Sequence, residues 1–207
     1  MKYYMFNKPC GCITARKDEK QPTIMEYLKE IDDGKIVPVG RLDKETEGLL
    51  LITDDGVLNQ KLMRPETHVE KCYYFEAFGK LTPDKIKRLQ EGICIEKEER
   101  LAQRITKPAA VSIKRECYFR DICNELPESI YSRLKANLPE NPVVCGCITV
   151  TEGRKRQIRR MMKSQHCYVI YLKRIRLGKL ELDENLKPGQ YRELTDDEVG
   201  MLYGEDN

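Results

Sequence analysis

Apolar residues in this chain fall mostly in short runs broken by glycine, proline or charge, at strand rather than helix spacing. The most apolar run, Leu49-Leu50-Leu51-Ile52, is too short for a helix core and lies between Gly48 and the turn Thr53-Asp54-Asp55-Gly56. It predicts a buried strand. Residues 3–6 read as a short aromatic strand ending at Asn7-Lys8-Pro9, with residues 10–14 as its hairpin partner. Further strands are predicted over residues 36–39, 69–78, 93–95, 109–113, 143–151 and 168–176, then two short ones separated by Gly178 and Pro188-Gly189, the last over 190–194. Helix signals are as local. Thr23-Ile24-Met25-Glu26 has the capping-box pattern for a helix to about Ile31, and Leu58 and Leu62 lie one turn apart ahead of Pro65. Thr82-Pro83 opens a helix that Gly92 closes; Leu126, Ile130 and Leu134 mark another; Thr195 and Glu198 cap the last. Strands joined by hairpins and single helices imply an α+β fold with a curved, mixed and mainly antiparallel sheet.

The length of 207 residues suits one sizeable core, or two small lobes sharing one sheet. A content of 40% hydrophobic and 34% charged residues is that of an ordinary soluble globular protein. No run approaches the roughly 18 apolar residues of a membrane span, and the N-terminus has no apolar signal-like region, so a cytoplasmic protein without a membrane partner is expected. Nine cysteines occur without a Cys-x-x-Cys pair and with only His68 and His166 as partners. That spacing argues for reduced, mostly buried thiols and against a metal site.

Charge changes the picture. The net charge is only +3, but residues 151–179 hold ten Lys or Arg against one acid, Glu152, a local +9. Along 152–163 the helical wheel places Ile158, Met161 and Met162 on one side and Arg156, Arg160 and Lys163 on the other, with Arg159 at the boundary. The methionines read as core and the basic stripe as a surface that meets a polyanion. Ahead of the buried strand, Asp43 lies on a loop between Gly40 and Gly48, beside Arg41. Loops held by a rigid scaffold carry chemistry, although Arg41 and Asp43 could equally be a local loop-fixing pair.

Four stretches together resemble one family. They are Gly40-Arg41-Leu42-Asp43 with Thr46, Gly48-Leu49-Leu50-Leu51, Thr53 and Asp55-Gly56; Asn7-Lys8-Pro9 with Gly11; Lys71 with Tyr73; and Glu152-Gly153 with Gln157-Ile158-Arg159-Arg160-Met161. The chain is similar to the pseudouridine synthases of the ribosomal small-subunit (16S) type and their large-subunit relatives. The resemblance runs from about Asn7 to Thr195, with a gap over 115–141 that reads as a peripheral elaboration on a single catalytic domain spanning 1–207. With only seven residues ahead of Lys8, the chain is expected to lack the small S4-like RNA-binding domain common in that family.

The resemblance implies isomerisation of a ribosomal uridine to pseudouridine, in 16S or 23S RNA, at a cleft crossing the middle of the sheet. It implies no cofactor and no metal, and as partner ribosomal RNA or a pre-ribosomal particle; we expect a monomer. Asp43 becomes the catalytic aspartate, Tyr73 rather than Tyr74 the active-site tyrosine, Arg159 the arginine paired with Asp43, with Arg160 its rival, and Leu172 the residue beneath the target base. Arg41, Lys71, Arg156, Arg160 and Lys163 are expected on the substrate, and Lys8 either faces phosphate or is a solvated turn lysine. The Arg16 to Thr23 pattern looks more like the small-subunit branch. A non-catalytic RNA-binding module would use the same basic helix without Asp43, and a nucleosidase would need a second acid, for which Glu45 and Glu47 are the nearest candidates.

Overall fold

Thr53, Asp55 and Gly56 show how local chemistry builds this fold. The Thr53 hydroxyl accepts from the Asp55 N–H (3.0 Å), and the Asp55 carboxylate accepts from the N–H groups of Val57 and Leu58 (3.0 Å each), so a strand ends and a helix starts within three residues. The computed structural model describes residues 1–95 and 105–204. Among them are nine strands: β1 (Tyr3–Lys8), β2 (Val37–Pro38), β3 (Glu47–Thr53), β4 (Lys71–Phe78), β5 (Ala110–Tyr118), β6 (Pro142–Val150), β7 (Tyr168–Leu177), β8 (Leu180–Glu181) and β9 (Tyr191–Glu193). Five α-helices accompany them: α1 (Gly56–Met63), α2 (Pro83–Glu91), α3 (Glu128–Leu134), α4 (Gln157–Ser164) and α5 (Asp196–Tyr203). The sheet is mixed and mainly antiparallel, as the hairpin-rich sequence predicts. The chain divides into two compact units, residues 1–71 with 173–207, and residues 72–172.

In the first unit every residue of β3 is buried, in keeping with its unbroken apolar run. β1 pairs with it antiparallel from Tyr3 opposite Thr53 to Lys8 opposite Gly48, and β9 covers the other edge of β1. With both edges of β1 filled, residues 10–14 have no place beside it, and the expected hairpin is absent. That segment bridges instead to Thr23, through Ile13. β2 pairs with β3 antiparallel, and β3 with the C-terminal half of β7 in parallel, Glu47 opposite Lys173 and Gly48 opposite Arg174. Met5, Leu49, Leu51, Leu58, Leu62, Leu177 and Leu202 share one core; a fully buried Leu is worth roughly 1.5–3 kcal/mol.

The helix expected over 23–31 is a single 3₁₀ turn, Ile24–Glu26. Its capping box is present, but the N–H groups of Tyr27 and Leu28 reach back three residues rather than four, to Ile24 and Met25. Both Ile24 and Leu28 are fully buried, so a single turn already seats the apolar residues that follow the capping box.

In the second unit the strand order is β5-β6-β4-β7, β7 giving its N-terminal half. β5 and β6 pair from Ala110 opposite Thr149 to Tyr118 opposite Pro142, with an irregularity between Ile113 and Arg115. The expected elaboration over 115–141 therefore begins inside a strand: residues 115–118 are sheet, and α3 follows. Of the strand expected over 93–95 only a bridge from Cys94 to Ile105 forms. Phe75, Ala77, Leu89, Val144, Ile148, Ile158, Met161, Met162 and Leu172 make the core. The methionine stripe is buried, as the wheel predicts. All nine cysteines are free thiols, Cys12, Cys72, Cys145 and Cys167 among them buried. No described helix is long and apolar enough to cross a membrane.

The buried Asp55 also receives the hydroxyls of Tyr3 (2.8 Å) and Tyr203 on its second oxygen, tying α5 to α1 and β1. Burial pushes this carboxyl up, but the donors, from Tyr203, Leu58 N–H, Tyr3 and Val57 N–H, outweigh it and hold the group below the usual aspartate range. A depressed carboxylate contributes stability above its unfolded value, near 3.9, which is lost as pH falls through the folded value. Tyr203→Phe is expected to cost about 1.5–3 kcal/mol at pH 7, the usual worth of a hydrogen bond to a charged group. The difference from the unaltered protein should shrink below pH ~4 in denaturant melts; a difference independent of pH would remove the ionised carboxylate from the account.

Candidate active site

Asp43 stands on the loop between β2 and β3, with its side chain half-buried. The loop is fixed from the other side by residues 8–14. The Lys8 ammonium donates to the carbonyls of Asp43 (3.2 Å), Thr46 (3.0 Å) and Pro9 (3.0 Å), and the Gly11 N–H to that of Lys44 (2.8 Å). The Cys10 thiol lies 3.6 Å from the Glu45 carbonyl, and the Thr14 hydroxyl bonds both backbone groups of Leu42. Within the loop the Thr46 N–H closes a turn onto Asp43 O (3.0 Å).

This arrangement corrects the expectation for Lys8. Its side chain is neither a phosphate contact nor a solvated turn lysine: it is fully buried and its donors are spent on backbone carbonyls. Burial lowers its pKa, against the opposing influence of Cys12, Cys10, Asp43 and Glu47 nearby. Lys71 is buried as well, with its ammonium on the Val69 carbonyl (3.0 Å), and burial followed by the like charge of Arg174 lowers it. It braces the start of β4. Arg41 is exposed at the loop's rim. Of the two acids a nucleosidase would call on, Glu47 is buried 3.7 Å from the Lys173 ammonium, which leaves it a structural partner.

Tyr73, Arg159 and Leu172 belong to the second unit. Tyr73 is half-buried on β4 and packs against the cluster that holds Leu172 and the α4 residues Ile158, Met161 and Met162. Arg159 is half-buried, its guanidinium donating to the Val169 carbonyl of β7 (3.0 Å). Arg160, expected on the outer basic stripe, is half-buried and donates to Ile95 O (2.6 Å). Arg156 and Lys163 are exposed, as is Lys155. Arg156 also caps α4 at φ +52° without a side-chain cap. The helix start is held elsewhere: the Gln157 amide donates to Glu152 (2.8 Å) and accepts from the Arg154 N–H (3.0 Å), while Glu152 also takes the Lys107 N–H (3.0 Å) and pairs with Arg154 (3.2 Å). Sequence reasoning missed this latch and the role of Thr14; no local pattern marks a hydroxyl that meets a backbone 28 positions away.

Comparison with known proteins bears on this geometry. Residues 2–164 match the family model of RNA pseudouridylate synthases. The chain is 36% identical over 201 residues to the RNA pseudouridine synthase YtzG of Bacillus subtilis, covering 97% of this chain and 72% of the relative. It is 31% identical to the ribosomal small subunit pseudouridine synthase A of Salmonella typhimurium, covering 97% and 74%. A crystal structure of a pseudouridylate synthase superposes with a TM-score of 0.74 at 31% identity, covering 97% of this chain and 73% of that one. A fixed loop presenting an aspartate, in a chain matched along nearly its whole length to these enzymes, places the protein in the RNA pseudouridine synthase family.

Proposed function

We propose that this enzyme converts a uridine of 16S ribosomal RNA into pseudouridine, with Asp43 as the catalytic carboxylate. The observation that carries the reading is the loop itself: the backbone from Leu42 to Thr46 is held by residues 8–14 while the Asp43 side chain stays half-buried. A carboxylate carried on a backbone so fixed is pre-organised to attack the sugar or to take a proton from it. The relatives named for the small ribosomal subunit, together with the Arg16 to Thr23 pattern, support 16S RNA as substrate.

In the reaction the N1 to C1′ bond of the uridine breaks, the uracil turns, and C5 bonds to C1′; C5 loses its hydrogen as N1 gains one. The base must first leave its stack, at a cost of a few kcal/mol. Tyr73 stacks on the extruded uracil, and Leu172 lies beneath it. Arg159 is assigned by its motif position as the guanidinium that serves Asp43. Lys155, Arg156 and Lys163, exposed around α4, supply phosphate contacts in the monomer.

The test is tritium release from transcripts labelled at uridine C5, because C5 loses its hydrogen only on becoming the new glycosidic carbon. Release from small-subunit RNA is expected, with no free uracil. Three phosphate contacts predict that binding to single-stranded RNA weakens roughly 20-fold between 50 and 200 mM salt. Release from large-subunit RNA alone would reassign the substrate, and free uracil would mean a nucleosidase.

A further inference from the structure

The clasp on the Asp43 loop has two sides. Lys8, Cys10 and Gly11 hold residues 43–46; the N-terminal side is held by Thr14, whose hydroxyl donates to Leu42 O (2.9 Å) and accepts from Leu42 N–H (3.1 Å). A hydroxyl has one donor and two lone pairs, so it satisfies both backbone groups of one residue as a neighbouring strand would. Leu42 is buried and immediately precedes Asp43, so its N–H and C=O cannot turn to water instead. Thr14 is itself located by a separate element: the Ile13 N–H bonds Pro22 O and the Ile24 N–H bonds Ile13 O, 3.0 Å each. We infer that Thr14 is a positioning residue for Asp43, setting the carboxylate's approach to the sugar through the backbone of Leu42. The inference rests on Asp43 being the catalytic carboxylate.

Thr14→Val keeps the shape and removes the hydroxyl. It is expected to lower kcat about 10- to 100-fold, the effect of a displacement near 1 Å, with KM for RNA unchanged. Thr14→Ser, which keeps the hydroxyl, should return most of the rate. A merely structural role would lower the melting temperature of the Val variant and leave kcat intact well below it. The inference is overturned if Thr14→Val retains kcat, or if Thr14→Ser is as slow as Thr14→Val. Amide exchange in the unaltered protein tests it without a variant: a protected Leu42 N–H is expected, and exchange at the rate of an open loop overturns it. Asp43→Asn is assayed alongside, since activity in that variant would defeat the reading of the site itself, whatever Thr14 does.

Discussion

Asp43→Asn is expected to abolish pseudouridine formation and leave RNA binding intact. Asparagine matches aspartate in shape, and the contacts that fix this loop, from Lys8 and from the Thr46 N–H, fall on the Asp43 backbone carbonyl, which the substitution keeps. The loop should therefore hold its conformation while losing the one group able to attack carbon or accept a proton there. A positioned acid or base contributes about 10² to 10⁴ in rate, and the loss should lie toward the upper end of that range because asparagine neither attacks carbon nor accepts a proton at neutral pH. Glu47, the nearer buried acid, is held against Lys173. Affinity for RNA should be retained, or rise slightly, since the substitution removes a carboxylate from the loop proposed to face RNA. Tritium release and filter binding on the same preparation separate the two effects. Activity within about tenfold of the unaltered protein would remove Asp43 from the chemistry. Loss of binding together with activity would mean that the loop, rather than the carboxylate, had failed.

Much of the framework was legible because its signals are local. Asp55 before α1 and Thr195 with Glu198 at α5 cap backbone within a turn of themselves, and Pro83 opens α2 directly after Thr82, which makes no side-chain cap bond. The apolar run of β3 and the methionine stripe of α4 report burial directly through their periodicity. What could not be read depends on partners distant in the chain. Residues 10–14 look like a hairpin strand until β9 is known to occupy the free edge of β1. Lys8 looks like a surface lysine until the carbonyls of residues 43 and 46 close over it. Arg160 lies on the polar side of an ideal wheel, yet its long side chain reaches the Ile95 carbonyl. The candidate site divides in the same way. Motif positions identify Asp43, Tyr73, Arg159 and Leu172 as candidates, whereas the groups that hold the Asp43 loop in place emerge only from the fold.

Gly48→Ala is expected to be strongly destabilising for the addition of a single methyl group. Gly48 has φ +109°, a conformation that residues with a side chain rarely adopt, and forcing one into it costs about 1–3 kcal/mol. The methyl group would also lie 2.2 Å from the Arg174 carbonyl oxygen and 2.7 Å from its nitrogen. Both are backbone atoms of β7, so no side-chain rotation relieves the clash, and the strands must separate where Gly48 pairs with Arg174 and Glu47 with Lys173. Separation also breaks the 2.7 Å bond from the buried Arg174 guanidinium to Leu49 O, leaving that carbonyl and a buried cation unsatisfied. Each such loss costs about 1–3 kcal/mol, so a total above about 4 kcal/mol is expected, a large share of the 5–15 kcal/mol that holds a typical domain together. In a chain of this size that lowers the melting temperature by about 8–16 °C. Gly56→Ala is the matched control: it lies at the first position of α1, with nothing within 4 Å of the added methyl, and should be neutral or slightly stabilising. Because Gly48 follows Asp43 by five residues, the surviving folded fraction of Gly48→Ala should also turn over more slowly, as the strand that anchors the loop no longer seats against β7. A Gly48→Ala melt within about 2 °C of the unaltered protein would show that the β3 and β7 backbones can part at little cost, and the anchoring of the Asp43 loop would then have to be sought entirely in residues 8–14.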